Sequence, residues 1–304
     1  MKKVLITGAT GFVGRRLLRM LDSLEVEINV LSRKTHSDYK TIICDFEEDI
    51  ISKYSLDSID TVFHLAGFAH DINTRPNVED VYYKVNVNST IQLAKLAVQS
   101  RVKKFIFVSS IKAGGIPIHD KCLNENDQGE PEGVYGKSKR EAELKLLEIS
   151  ENSNMHVSII RPSLVYGPGV KGNLKSMLLA IERGWFPPLP DVNNRRSMVH
   201  VDDLIKSIIF VSNEKRANRE IFILTDGSAY SSREIYKFIC KALGKRVPKW
   251  YVPSLFFYVL SFINKNIEYK VNKLLGDEYF SSKKIESLGF KPQKTLVNFN
   301  ETDF

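Results

Sequence analysis

With 304 residues, 43% of them hydrophobic, the chain can bury a full core, enough for one domain and a smaller lobe. The formal net charge is +8, but the lysines are dispersed and no recognised nucleic-acid motif appears, so nucleic acid is not an expected partner. Three widely spaced cysteines (Cys44, Cys122 and Cys240) exclude a disulfide framework and a metal knot and suit a reducing cytoplasm, and the six histidines show no metal-ligand spacing.

The N-terminal Met-Lys-Lys precedes an apolar run too short for a signal peptide. Residues 3–6 instead predict a buried parallel strand ending at Thr7, and Phe12, Val13, Leu17, Leu18 and Leu21 recur with helical spacing from residue 12. Between them lie Gly8, Thr10, Gly11 and, one turn into the helix, Gly14. A strand that runs into a helix through glycines lets the backbone approach a pyrophosphate, which the positive end of the helix favours. The following strand, over 25–31, ends at Ser32, Arg33 and Lys34. A carboxylate there would bind the ribose 2′-hydroxyl of NAD; its absence, with Arg33 present, points to NADP(H), with NAD as the alternative. His64 closes an apolar strand and reads as a packed or hydrogen-bonded group. Residues 104–108 predict another buried strand ending at Ser109-Ser110, at the strand end where open α/β sheets place their chemistry. Tyr135 and Lys139, four apart, share one face of a helix, and an ammonium beside a phenol favours the phenolate. Strand and helix alternate to about residue 160, which predicts an α/β fold of the Rossmann type, a doubly wound parallel sheet with a smaller C-terminal lobe. The expected division is 1–165 for the dinucleotide unit, with 195–215 returning to it, and 166–194 with 216–304 for the lobe. The aromatic stretch 250–263 falls short of the roughly 20 residues that span a bilayer. It is expected to form a buried helix or a dimer contact, with peripheral membrane attachment as the lesser alternative and no stable membrane insertion.

Taken together these motifs resemble the extended short-chain dehydrogenase/reductase family, in its nucleotide-sugar branch, over nearly the whole chain. The resemblance rests on Thr7-Gly8-x-x-Gly11-x-x-Gly14, Asp45, Leu65-Ala66-Gly67, Asn86, Ser109-Ser110, Tyr135-x-x-x-Lys139, Arg161-Pro162 with Tyr166-Gly167-Pro168, Arg196 ahead of residues 199–204, and the C-terminal Ser282-Lys283-Lys284 with residues 288–292. It implies that Tyr135 is the acid/base and that Lys139 tunes it and holds the nicotinamide ribose. Ser110, 25 residues before Tyr135, would be the catalytic serine. Asp45 would face the adenine, and Phe46, Leu65, Ala66, Gly67 and Asn86 would line the cofactor. Asn173, Leu174 and Arg196 would hold the base and diphosphate of a UDP-sugar.

Ile111-Lys112 stand after Ser110 where related 4,6-dehydratases carry Asp-Glu, so dehydration is not expected. Leu164 replaces an asparagine of many sugar epimerases. The stretch 184–197 resembles bacterial surface-polysaccharide enzymes acting at C4 of UDP-N-acetylhexosamines. The leading expectation is therefore a cytoplasmic, homodimeric reductase of a UDP-4-keto-6-deoxy-N-acetylhexosamine. The alternatives are a UDP-glucose or UDP-N-acetylglucosamine 4-epimerase and, behind both, a non-catalytic NADP-binding protein.

Overall fold

The computed structural model describes residues 1–69 and 77–298. Short runs of apolar residues alternate with helices from the start: β1 (Lys3–Thr7), α1 (Phe12–Asp22), β2 (Glu27–Ser32), β3 (Lys40–Ile43), β4 (Thr61–His64), α2 (Val78–Tyr82), α3 (Ser89–Gln99), β5 (Lys104–Val108), α4 (Gly133–Glu151) and β6 (His156–Pro162). After β7 (Leu164–Tyr166), α5 (Gly172–Glu182), β8 (Arg196–His200) and α6 (Val201–Asn213) comes β9 (Glu220–Leu224). The chain then continues through β10 (Ala229–Tyr230), α7 (Ser232–Ala242), α8 (Ser254–Ser261), α9 (Lys265–Leu275) and α10 (Lys283–Ser287). β2 starts at Glu27 rather than 25 because α1 ends in a turn whose last residue, Glu25, is left-handed (φ 52°).

The main sheet has seven strands in the order β3-β2-β1-β4-β5-β6-β9, every neighbouring pair parallel. The order reverses between β1 and β4, the switch point at which open α/β sheets bind ligands beyond their carboxyl ends. Side chains alternate across the sheet. Val4, Ile6, Phe63 and Ile106 pack with α1 and α6 on one face, while Leu5, Val62, Phe105 and Phe107 pack with α3 and α4 on the other. The seventh strand, β9, lies in the stretch 216–304 that the sequence reading assigned to the lobe. It belongs to the sheet because Ile221 to Leu224 pair with Ile159 to Pro162 and cover what would otherwise be an exposed edge.

The lobe is built on a three-stranded sheet, β10-β8-β7, packed with α5, α7, α8 and α9 through Leu174, Met198, Tyr236, Phe257 and Leu275. The expectation of a buried helix over 250–263 is corrected. Only Phe257 of α8 turns fully inward, whereas Leu255, Phe256, Tyr258 and Val259 are exposed. The helix is apolar nearly all round but has the lobe on one side alone.

One buried ion pair joins α4 to the sheet. The Arg161 guanidinium donates to both oxygens of Glu143 (Nε–Oε1 2.9 Å, Nη2–Oε2 2.5 Å), and the two side chains are 1% and 0% exposed. Removing one partner leaves a buried charge uncompensated. Arg161→Met should therefore cost about 3–5 kcal/mol of stability. Adding Glu143→Met should recover most of it, as read by urea denaturation of the single and double variants.

Candidate active site

The loop between β1 and α1 is shaped by two glycines. Gly8 has φ +71°, and a Cβ on it would lie 2.7 Å from the Ala66 nitrogen; a Cβ on Gly14 would lie 2.2 Å from the Gly8 carbonyl oxygen. The Gly11 N–H donates to that carbonyl at 2.9 Å, closing the turn. No side chain caps the first turn of α1, so its amides remain available to an anion. Thr10 is tied down through its carbonyl, which accepts from Arg15 Nε at 3.0 Å. Phe12 reaches into the lobe core and Val13 into the sheet core. Ser32 closes β2, and Arg33 and Lys34 behind it are exposed. After β3, Asp45 Oδ1 accepts from the Glu47 N–H at 3.0 Å, and the Phe46 ring lies 6.0 Å from that of His64. A backbone cradle that any Cβ would fill, facing an uncapped helix, fits a dinucleotide.

The second half of the site gathers at the ends of β4 and β5. Ser110 follows β5, its hydroxyl accepting from the Lys112 N–H at 3.3 Å and lying beside the Tyr135 phenol on the first turn of α4. Its neighbour Ser109 is buried, with no hydrogen-bond partner for its hydroxyl among the described residues. Lys139, 2% exposed, donates from Nζ to the Val108 carbonyl at 3.1 Å and lies 4.5 Å from the centre of the Phe107 ring. A Cβ on Gly67 would come within 3.1 Å of Lys139 Nζ and 3.2 Å of Asn86 Oδ1, so the turn after β4 meets the lysine directly. Asn86 sits in a π-helical turn, Tyr83–Asn88, which re-aims its side chain inward. Its amide accepts from the Phe68 N–H (2.8 Å) and donates to the Phe68 carbonyl (3.1 Å) and to Ser138 Oγ (3.0 Å). Asn86 thereby locks the catalytic helix to the loop after β4.

Burial pushes the Tyr135 phenol up to about 12, with the Ser110 hydroxyl pulling the other way and Tyr82 and Glu143 adding to the rise. Burial also lowers Lys139 to about 8, opposed by the Glu143 carboxylate. The spacing led to the expectation of an ammonium that depresses the phenol. In the folded chain desolvation dominates both groups, and one Lys139 N–H is turned to the Val108 carbonyl. At neutral pH the phenol is therefore a proton donor.

Behind these residues runs a buried chain of hydroxyls through His64. The Thr90 hydroxyl donates to the Asn86 carbonyl (2.8 Å), so it must accept from His64 Nε2–H (2.7 Å). The neutral ring then accepts at Nδ1 from Thr7 Oγ1 (2.7 Å), which in turn accepts from the Ala66 N–H (3.1 Å). The imidazole is a structural link between β1, β4 and α3, as the sequence suggested.

In the lobe, Arg196 opens β8 and donates to Glu278 Oε2 at 2.6 Å and to the Lys273 carbonyl. Glu278 also holds Lys273 (2.7 Å), Lys273 reaches Glu132 (2.9 Å), and Glu132 lies 3.6 Å from Lys112. Three cations and two carboxylates thus bridge the lobe to the segments beside Ser110 and Tyr135. The surplus positive charge suits an anionic ligand. Asn173 is exposed and Leu174 buried on the first turn of α5, and among the described residues no hydrogen bond links them to Arg196. A surface cavity of about 340 Å³ opens beside residues 191–195, lined also by Ser231, Glu234 and Lys237, and includes none of the catalytic residues. Tyr82, whose ring lies 6.2 Å from that of Tyr135, and Glu143 were not singled out from the sequence. For Glu143, Arg161 at the end of the largely apolar run 157–160 was the available signal, because such a charge needs a buried partner.

This cradle, followed by Ser110, Tyr135 and Lys139 at neighbouring strand ends, defines a nicotinamide-dependent enzyme of the short-chain dehydrogenase/reductase type. Residues 4–224 match the NAD dependent epimerase/dehydratase family, and the chain belongs to that family. It is 34% identical to a UDP-glucose 4-epimerase of Vibrio cholerae, covering 97% of this chain and 92% of that one. It is 28% identical to an N-acetyl-alpha-D-glucosaminyl-diphospho-ditrans,octacis-undecaprenol 4-epimerase of Escherichia coli O157:H7, covering 96% and 91%. Among solved structures, a Thermotoga maritima UDP-glucose 4-epimerase with UDP-glucose superposes with a TM-score of 0.79 at 20% identity, over 99% of this chain and 97% of that one. A Bacillus cereus UDP-glucuronic acid 4-epimerase in complex with NAD gives 0.79 at 19% identity, over 99% and 97%. At such identities the structural likeness concerns the fold. Among the described residues, no helix is long and apolar enough to cross a membrane.

The buried imidazole generates a pH dependence. His64 is held down to about 3 by burial and by the Lys139 ammonium, against 6.5 when exposed. Its contribution is whole above pH 6.5 and is lost as pH falls toward 3, at about 1.4 kcal/mol per unit, because the unfolded chain binds the proton first. Denaturation at a series of pH values should give His64→Gln a shallower acid loss than the parent, by about one proton.

Proposed function

We propose that this enzyme performs redox chemistry at C4 of a UDP-linked hexose, as a cytoplasmic homodimer. The observation that carries the reading is the Ser110–Tyr135 hydroxyl pair beside the lysine and asparagine that meet at Gly67. A nicotinamide cofactor whose pyrophosphate rests in the Gly8–Gly14 cradle would supply or accept the hydride at C4. Tyr135, kept protonated by its burial, donates its proton to the C4 carbonyl oxygen as that carbon is reduced, and takes one back when the alcohol is oxidised. Ser110 donates a hydrogen bond to the same oxygen as negative charge develops on it. Lys139 holds the nicotinamide ribose, and Arg196, released from Glu278, binds the diphosphate; Asn173 and Leu174 take the base.

Two forms of this chemistry use the same residues. A reductase of a UDP-4-keto-6-deoxy-N-acetylhexosamine releases its cofactor after each turnover, and the exposed Arg33 and Lys34 with no carboxylate at the end of β2 favour NADPH for that form. A 4-epimerase oxidises and re-reduces C4 on opposite faces and keeps its cofactor. The name of the Vibrio cholerae relative and the NAD in solved structures of similar fold favour that form.

Incubation with UDP-4-keto-6-deoxy-N-acetylglucosamine and NADPH separates them. Stoichiometric loss of NADPH identifies the reductase. Interconversion of UDP-N-acetylglucosamine or UDP-glucose with its C4 epimer, without net cofactor loss, identifies the epimerase. Turnover only of the diphospho-undecaprenol sugar named for the Escherichia coli relative would remove UDP from the reading. In either form Tyr135→Phe should abolish turnover while retaining cofactor affinity, and Ser110→Ala should lower kcat by about a hundredfold. Near-normal turnover by the phenylalanine variant would overturn the assignment.

A further inference from the structure

The apolar surface of the described residues is concentrated in one place. Of the 21 large hydrophobic side chains exposed there, ten lie between Val247 and Tyr269, on α8 and its two flanks. Phe262 is 87% exposed, Leu255 70%, Trp250 64% and Phe256 54%. Scattered single residues of this kind are ordinary on a surface, whereas a contiguous patch marks a docking site. The slightly wider span 245–270 carries five cations, Lys245, Arg246, Lys249, Lys265 and Lys270, all exposed, against one acid, Glu268.

We propose that α8 and its flanks dock the enzyme on an anionic lipid bilayer. The helix has eight residues, about 12 Å of length, and cannot span a membrane. The Phe and Tyr side chains of the helix and Trp250 of its flank suit the headgroup–acyl boundary, where a short helix lies in the plane of the surface. The surrounding lysines and arginine then meet the acidic headgroups. A second copy of the chain is the poorer occupant, because a two-fold contact through this face would set each basic rim against its own image. The patch is mounted beside the chemistry. Phe257 anchors α8 in the lobe core. On α9, which packs against α8, Lys273 and Tyr269 contact Glu132, three residues before Tyr135. Docking would thus hold the catalytic helix next to the lipid surface. The proposal stands independently of which C4 reaction the site performs.

The test is co-sedimentation of the full chain with phosphatidylcholine vesicles, with and without phosphatidylglycerol, at low and high salt. The enzyme should pellet with the anionic vesicles and be released by salt. Two double variants, Phe256→Ser with Phe262→Ser and Lys249→Glu with Lys265→Glu, should each weaken binding by about tenfold or more. Both change exposed positions, so thermal melting and turnover of soluble substrate should remain those of the parent. A parent enzyme that stays in the supernatant, or variants that pellet as the parent does, would overturn the proposal. So would sedimentation velocity in which the phenylalanine substitutions turn a dimer into a monomer, since the face would then be a contact between copies.

Discussion

The site depends on one guanidinium. Arg161, near the end of β6, binds Glu143 with two hydrogen bonds out of water. Glu143 lies one turn beyond Lys139 and two beyond Tyr135 on α4, so the pair sets both the azimuth and the height of the catalytic helix. The other side of the same guanidinium faces Gln128 Oε1 at 3.3 Å, and a Cβ on Gly114 would come within 3.1 Å of Nη1. The segment following Ser110 therefore passes against the residue that anchors the helix of Tyr135 and Lys139. Hydrophobic residues of like volume could fill this space at little loss of stability. What they would lack is the directional fork that relates the three catalytic side chains.

Electrostatics inside this frame follow from dryness more than from pairing. The same desolvation raises a phenol and lowers an amine, so Tyr135 and Lys139 both lean toward their neutral forms. The lobe behaves in the opposite way. Lys273, facing Glu132 and Glu278, is raised well above the usual lysine range, and Glu278 is lowered by Arg196 and Lys273. Charge is thus kept where an anionic ligand would be held and disfavoured where a proton is exchanged.

Much of this was readable in the chain because the relevant signals are local. The glycine turn is written into eight residues, the Tyr135–Lys139 pair into five, and the buried strands declare themselves by unbroken apolar runs. The switch point follows from the strand–helix alternation. What could not be read depends on partners distant in the chain. Glu143 sits in Lys-Arg-Glu-Ala-Glu-Leu-Lys, which looks like a solvated helix face until Arg161 is brought against it. Arg196 was read as a ligand-binding cation, yet Glu278, 82 residues away, is its partner in the fold. The effect of Lys139 on Tyr135 was inferred from spacing, which carries no information about desolvation. α8 was read as buried because its composition is that of a core, and composition does not say how many neighbours a helix will have.

The return of the chain at β9 has a consequence for biogenesis. The lobe's β7, α5 and β8 are threaded between two adjacent strands of the main sheet, β6 and β9, rather than appended to its end. As the protein emerges from the ribosome, β6 must wait about sixty residues for the strand that covers its free edge, with Ile159 and Ile160 in the ladder meanwhile unpaired on that side. The sheet and the lobe consequently close together, and neither can be excised as a self-contained piece by cutting the chain once.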